Sequence, residues 1–224
     1  MAGINTSRNH IALAIQADEV TPAVNPTFVI PLMSGSLPTV ETSHEEIRET
    51  HKDGAETTLK EVKPTAEFNC FAYEELAPML LKGVLGSDVV TDVAPLKQHV
   101  LSAGATLPRF TVWTLIDNGA GGYVITRHAN VLLTSLTIKA DDNGASKFEV
   151  KGEGTSFMYV DTVDTATAVD LAEPGHAKLV TANATVKYSG NSQTPVIVDD
   201  ISTFELELSR DSETTAKFGS PFPA

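Results

Sequence analysis

The chain has a single cysteine, Cys70, in 224 residues. No disulfide can form within it, and the cysteine count gives no sign of an oxidising compartment. With no histidine near it in sequence, Cys70 reads as a small apolar packing residue and not as a nucleophile. Long apolar runs are also missing. The run nearest the start, Ile11-Ala12-Leu13-Ala14-Ile15, is far shorter than a membrane span and has neither the basic flank nor the cleavage region of a secretory leader. The chain is therefore expected to have no membrane partner and to stay in the compartment where it is made. Basic residues are the third shortage: 16 Lys and Arg stand against 29 Asp and Glu, a formal net charge of -13. Such a field repels phosphate backbones and anionic bilayers and argues against tight nucleic-acid binding. On composition alone, the carboxylate excess serves solubility.

Catalytic and metal-binding patterns are scarce as well. No Gly-x-Ser-x-Gly elbow occurs. Gly119, Gly121 and Gly122 lead into an apolar alternation rather than into a helix whose N-terminus faces an anion, so they read as a turn. Asp141-Asp142-Asn143-Gly144 lacks the alternating oxygen ligands and the closing glutamate of a calcium loop, and also reads as a turn. His44 and His51 are seven residues apart, a spacing that aligns two imidazoles only on a helix and departs from the i, i+4 pair of a zinc protease. The remaining histidines, His10, His99, His128 and His176, are scattered singly. The expectation is no catalytic group, no metal and no cofactor, hence no enzyme.

What is present is β periodicity. Residues 11–15 and 27–32 read as short strands separated by a loop containing Pro22 and Pro26. Residues 34–63 have few large apolar side chains and many Thr and Glu, with Asp53-Gly54 as a turn signal near the middle, and the flanks 38–48 and 56–71 are equally spaced about that turn within an arm over residues 36–71. They read as a long hairpin arm whose strands cannot bury enough surface to stand alone and which needs a partner. Residues 74–85 are the one helix. Leu76, Leu80 and Val84 form its stripe, Glu74 and Glu75 lie at its positive end, Pro78 falls in the first turn, Gly83 weakens the last turn, and Gly86 closes it.

From Arg109 on, the period is two. Residues 110–116 and 123–126 flank the glycine turn as one hairpin. Leu132, Thr134, Leu136 and Ile138 face Phe148 and Val150 across a second. On the return strand of that second hairpin, Lys147, Glu149, Lys151 and Glu153 take the wet face. Residues 179–188 and 203–209 alternate in the same way, Phe204, Leu206 and Leu208 opposing Glu205 and Glu207, while residues 161–174 read as loop. The fold class expected is mainly β: a two-sheet antiparallel sandwich or barrel with one short flanking α-helix and a long hairpin arm in the N-terminal half, all in a single domain spanning residues 1–224.

The stretch Pro64-Thr65-Ala66-Glu67-Phe68-Asn69-Cys70-Phe71-Ala72-Tyr73-Glu74-Glu75-Leu76 leads into the helix and ends at Val84-Leu85-Gly86. Leu107-Pro108-Arg109-Phe110-Thr111-Val112-Trp113-Thr114 follows, and then a strand pair over residues 130–140 and 146–154 closing in Gly152-Glu153-Gly154. In order and texture, this middle half of the chain resembles the tail tube (major tail) proteins of long-tailed bacteriophages. The resemblance implies rings, commonly hexameric, that stack into a hollow tube through which DNA passes without specific binding. It also implies a virion location after assembly in the host cytoplasm, and tail partners such as tape measure and terminator proteins. Many relatives carry further strands or an extra domain, a departure this chain would represent in compact or trimmed form.

The resemblance makes residues 36–71 the arm that reaches the neighbouring ring, with Glu45, Glu46, Arg48, Lys52, Asp53, Gly54 and Glu56 as its contact candidates. The wet acidic faces make Glu149, Glu153, Glu205 and Glu207 the candidates for lining the bore, where carboxylates would repel a passing duplex evenly. Ring closure would also pair exposed strand edges. A neck, tail-terminator or decoration protein of similar β architecture is the alternative.

Overall fold

The computed structural model describes residues 9–33, 38–48, 55–94, 96–141, 144–180, 187–188, 196–197 and 203–210. In chain order the elements are β1 (His10–Ile15), β2 (Phe28–Pro31), β3 (Thr39–Arg48), β4 (Ala55–Thr65), β5 (Phe68–Phe71), α1 (Ala77–Leu85), β6 (Gly86–Val93), β7 (Leu96–Ala103), β8 (Phe110–Asp117), β9 (Tyr123–Asp141), β10 (Lys147–Glu153), β11 (Ser156–Val160), β12 (Val169–Asp170), β13 (Lys187–Tyr188), β14 (Val196–Ile197) and β15 (Thr203–Ser209). The fold is mainly β with one short helix, and its sheets do not close into a barrel.

One sheet runs β12-β2-β1-β8-β9-β11, antiparallel except where β12 lies parallel to β2. The other runs β15-β9-β10, with β5 and the end of β4 sharing the far edge of β10 and β3 continuing from β4. Their inner faces meet in one core: Ile11, Leu13, Ile30, Phe110 and Val112 from the first sheet, Phe68, Cys70, Leu136, Phe148 and Val150 from the second, and Leu76, Leu80 and Val84 from the helical segment. The other face of the first sheet is also dry. There Ala12, Ala14, Val29, Trp113, Leu115 and Ile125 pack under Ala23, Val163 and Ala168. Coverage on both sides explains why residues 11–15 of β1 form an unbroken apolar run and why β8 is buried at nearly every position, Thr111 and Thr114 included.

The segment expected to be all loop, residues 161–174, thus supplies both a cover and the two-residue β12. Residues 179–188 lie largely outside the described residues; of them, Lys187 and Tyr188 form β13 against β14.

The helix starts at Ala77, three residues later than its sequence suggests, and its first turn has no acidic residue. Glu74 and Glu75 are held outside because Glu74 N–H donates to the Ala177 carbonyl at 3.2 Å and Tyr73 bridges to Lys178, so the backbone there is committed to an antiparallel neighbour. Gly86 closes the helix in the left-handed region (φ 102°), donating its N–H to the Lys82 carbonyl. Gly83 has a packing role beyond the weakening its helix propensity implies. A Cβ at this position would lie 2.6 Å from Leu133 Cδ1 and 2.8 Å from Phe110 Cζ.

The two strands expected at residues 123–126 and 132–138 are one 19-residue strand, β9, common to both sheets. It changes sheets at Asn130, whose φ of 55° is one that asparagine tolerates better than most residues. Gln16, itself buried, fixes the bend. Its Oε1 accepts the Asn130 N–H at 2.7 Å, and its Nε2 donates to Asn130 Oδ1 at 2.8 Å and to the Thr21 carbonyl at 2.9 Å. Asn130 Nδ2 donates to Thr155 Oγ1 at 3.0 Å, tying in the link between β10 and β11. Gln16→Ala leaves the Asn130 N–H and the Thr21 carbonyl without these partners. It is expected to lower stability by about 1–3 kcal/mol in urea unfolding monitored by Trp113 fluorescence.

Two hairpins stand off the sheets. β3 and β4 pair antiparallel over their length with an irregularity between Ser43 and His44, and the register joins this ribbon to β10 through Thr65 opposite Glu153. Its root is therefore at residue 65. β5, included in the arm on sequence grounds, belongs to the body, where it pairs with β10 and buries Phe68 and Cys70. The second hairpin, β6–β7, lies in a stretch where the sequence suggested no element.

Candidate assembly surfaces

Alternation along β9, β10 and β15 sends Leu136, Phe148, Val150 and Leu208 into the core and their neighbours to the opposite face of the second sheet. On that face Glu205, Lys139 and Lys147 form one cross-strand row, and Glu207, Thr137 and Glu149 form the next. Lys139 Nζ donates to both Glu149 carboxylate oxygens at 2.8 Å and lies 3.7 Å from Glu205. The Glu149 hydrogen bond holds the Lys139 ammonium above the usual lysine pKa, with Glu149 and Glu205 charges adding to it. Glu153, at the end of β10, pairs with Lys63 of β4 at 2.6 Å.

The structure thus brings Glu149, Glu153, Glu205 and Glu207 onto one face, as the alternation suggests. It also sets Lys63, Lys139, Lys147 and Lys151 among them, so ammonium groups are interspersed with the four carboxylates. Only Lys147 and Lys151 are visible as neighbours from the strand's own sequence. Lys63 and Lys139 arrive from other strands, and only the register reveals them.

Of the arm candidates, Glu45, Glu46 and Arg48 lie on β3 and Glu56 on β4, with Glu45 opposite Thr58, Glu46 opposite Thr57 and Ile47 opposite Glu56. Lys52, Asp53 and Gly54, together with the turn they were expected to make, lie outside the described residues. His44 sits on a strand, and His51 is outside the described residues.

Cys70 is fully buried opposite Phe148, and burial pushes its thiol pKa up to about 12, which keeps it protonated and inert. His99 and His176 each face one carboxylate, Asp88 at 2.9 Å and Glu75 at 3.2 Å. Among the described residues no three His, Cys, Asp or Glu side chains are grouped to hold a metal ion, and no helix is long and apolar enough to cross a membrane. The chain matches no protein-family model and none of the curated proteins.

Proposed function

We propose that the chain is a structural virion protein whose copies form rings that stack into a hollow phage tail tube, with DNA passing through the bore. The observation that carries this reading is the β3–β4 ribbon: ten cross-strand pairs, Thr39 with Thr65 through Arg48 with Ala55, rooted on the body at the end of β10. An isolated two-stranded ribbon is marginal in water, so a second surface is the natural place for it. A neighbouring ring supplies one. The sandwich-like body, the open sheet edges and the net charge of -13 agree with a conduit that does not grip DNA.

The mixed face of the second sheet refines the bore. If Glu149, Glu153, Glu205 and Glu207 line it, a passing duplex meets carboxylates interspersed with lysines, Glu149 paired with Lys139 and Glu153 with Lys63. Mixed charge would serve passage by weakening the repulsion that carboxylates alone would exert on phosphate.

Negative-stain microscopy of the purified protein is expected to show hollow filaments; a single ring that never extends would instead identify a neck or terminator protein. Deletion of residues 52–56 at the arm tip should leave folded rings that do not stack. Tubes of wild-type length from that deletion would remove the arm from the stacking contact.

A further inference from the structure

Two strands end their sheets on opposite sides of β9. β11 adds to it beside β10, and β15 adds on the side of β8. Among the described residues neither has a strand on its outer flank. Soluble proteins usually guard such edges with lysine, proline, bulges or very short strands. β11 has none of these: Ser156-Phe157-Met158-Tyr159-Val160 pairs in regular register with β9, contains no charge, and exposes Met158 by 46% and Tyr159 by 72%.

The two edges are complementary face by face. Toward the core side, β11 presents Phe157 and Tyr159, stacked edge to face at 5.4 Å, and β15 presents Phe204, Leu206 and Leu208, with Leu206 39% exposed. On the opposite side, β11 presents Met158 beside Arg127, and β15 presents Glu205 and Glu207. Among the described residues Arg127 has only a thioether for company: its Nη2 lies 2.7 Å from Met158 Sδ, and its buried Nε has no hydrogen-bond partner. Among the described residues Glu207 has no cation at ion-pair distance, and Lys139, 3.7 Å from Glu205, is already bonded to Glu149.

We infer that β11 of one copy pairs with β15 of the next, joining the first sheet of one subunit to the second sheet of its neighbour. Apolar side chains then meet apolar ones on one side, and on the other the Glu205 and Glu207 carboxylates come onto the face that holds Arg127. Because the two edges differ, the contact is head-to-tail and repeats around a ring. The inference rests on the self-assembly reading above and names the strands that perform it.

Cysteine cross-linking tests it in the full chain, since the native Cys70 is buried and silent. Met158→Cys combined with Glu205→Cys or Glu207→Cys should give, on mild oxidation of assembled protein, a covalent ladder in at least one combination, while each single variant stays a one-chain band. A dimer from Met158→Cys alone would show like edges meeting and overturn the head-to-tail pairing. As a second measurement, Tyr159→Lys and Leu206→Lys should each abolish every species larger than a monomer, and mixing the two should restore only a two-chain species, because each keeps one intact edge. Normal assembly by either lysine variant overturns the inference. Wild-type protein that remains monomeric overturns the assembly reading itself, whereas wild-type rings with no ladder in either combination overturn the strand pairing alone.

Discussion

Lowering the pH from 6.5 to 4 is expected to cost the fold about 3 kcal/mol through one side chain, His128. Its ring is fully buried, faces Val112 across the strand, and touches Phe157 edge to face at 5.0 Å. Among the described residues neither ring nitrogen has a hydrogen-bond partner. Burial disfavours the imidazolium and pushes the pKa down to about 4 from 6.5. In the unfolded chain the imidazole takes a proton as the pH falls below 6.5, whereas in the folded chain it resists until about pH 4. Stability is therefore lost as the pH drops through that window and levels off, for this group, below it. Urea unfolding across pH 4 to 7, for wild type and for His128→Leu, isolates the effect from the carboxylates common to both. The variant should lose about 3 kcal/mol less than wild type over that range; equal losses would mean the imidazole is solvated or paired in the folded state.

The second large effect is expected where α1 crosses the sheets. Phe110 is fully buried and its ring presses on the helix at Gly83, so Phe110→Ala opens a cavity at the centre of the core and should cost about 3–5 kcal/mol. Gly83→Ala probes the same contact from the other side. Helix propensity would favour alanine by about 1 kcal/mol. The new methyl, however, would stand 2.6 Å from Leu133 and under 3 Å from Phe110, and overpacking of this kind costs about 1–3 kcal/mol, so the net change is expected to be destabilising. Shrinking the ring relieves the Phe110 part of the clash while Leu133 stays, and Gly83→Ala with Phe110→Leu should therefore destabilise by less than the sum of the single changes in the same assay. Strict additivity would show that the helix shifts away instead.

The strand with a clean two-residue period, β10, is legible because it has one dry and one wet face, so local sequence and final environment agree; β15 alternates in the same way but buries Phe204 and Leu208 only in part and leaves Leu206 exposed. The sequence of β9 reads as two strands. Its bend depends on Gln16, 114 residues away, and nothing local to Arg127, His128 and Ala129 announces that the chain passes from one sheet to another without stopping. β6 and β7 escaped notice for a different reason. Val89 and Val90 are adjacent, Val93 lies two residues before Pro95 and Val100 three after Lys97, so no amphipathic stripe emerges until the register sets Val89 opposite Val100 and Asp88 opposite Leu101. The late start of α1 was hidden in the same way, in a hydrogen bond from Glu74 to residue 177.

The candidate surfaces were half legible. Alternation alone placed Glu149, Glu153, Glu205 and Glu207 away from the core. The charge those glutamates meet depends on which strands lie beside them, and Lys63 and Lys139 come from distant parts of the chain. A strand's own sequence reports the sign of its wet face, whereas the sign of a sheet's face is a property of the pairing.

That β9 serves both sheets has a mechanical meaning. A sandwich made of two independent sheets can yield by sliding one layer over the other, with the loops between them acting as hinges. Here the layers are joined along a continuous backbone, clamped at Asn130 by side-chain hydrogen bonds, and the β3–β4 ribbon attaches to β10 opposite Leu132, two residues beyond that clamp. A load applied to the ribbon enters beside the clamp and is shared by both layers at once. The body would answer tension as one beam, a property suited to the proposed role in which neighbouring copies hold its arm.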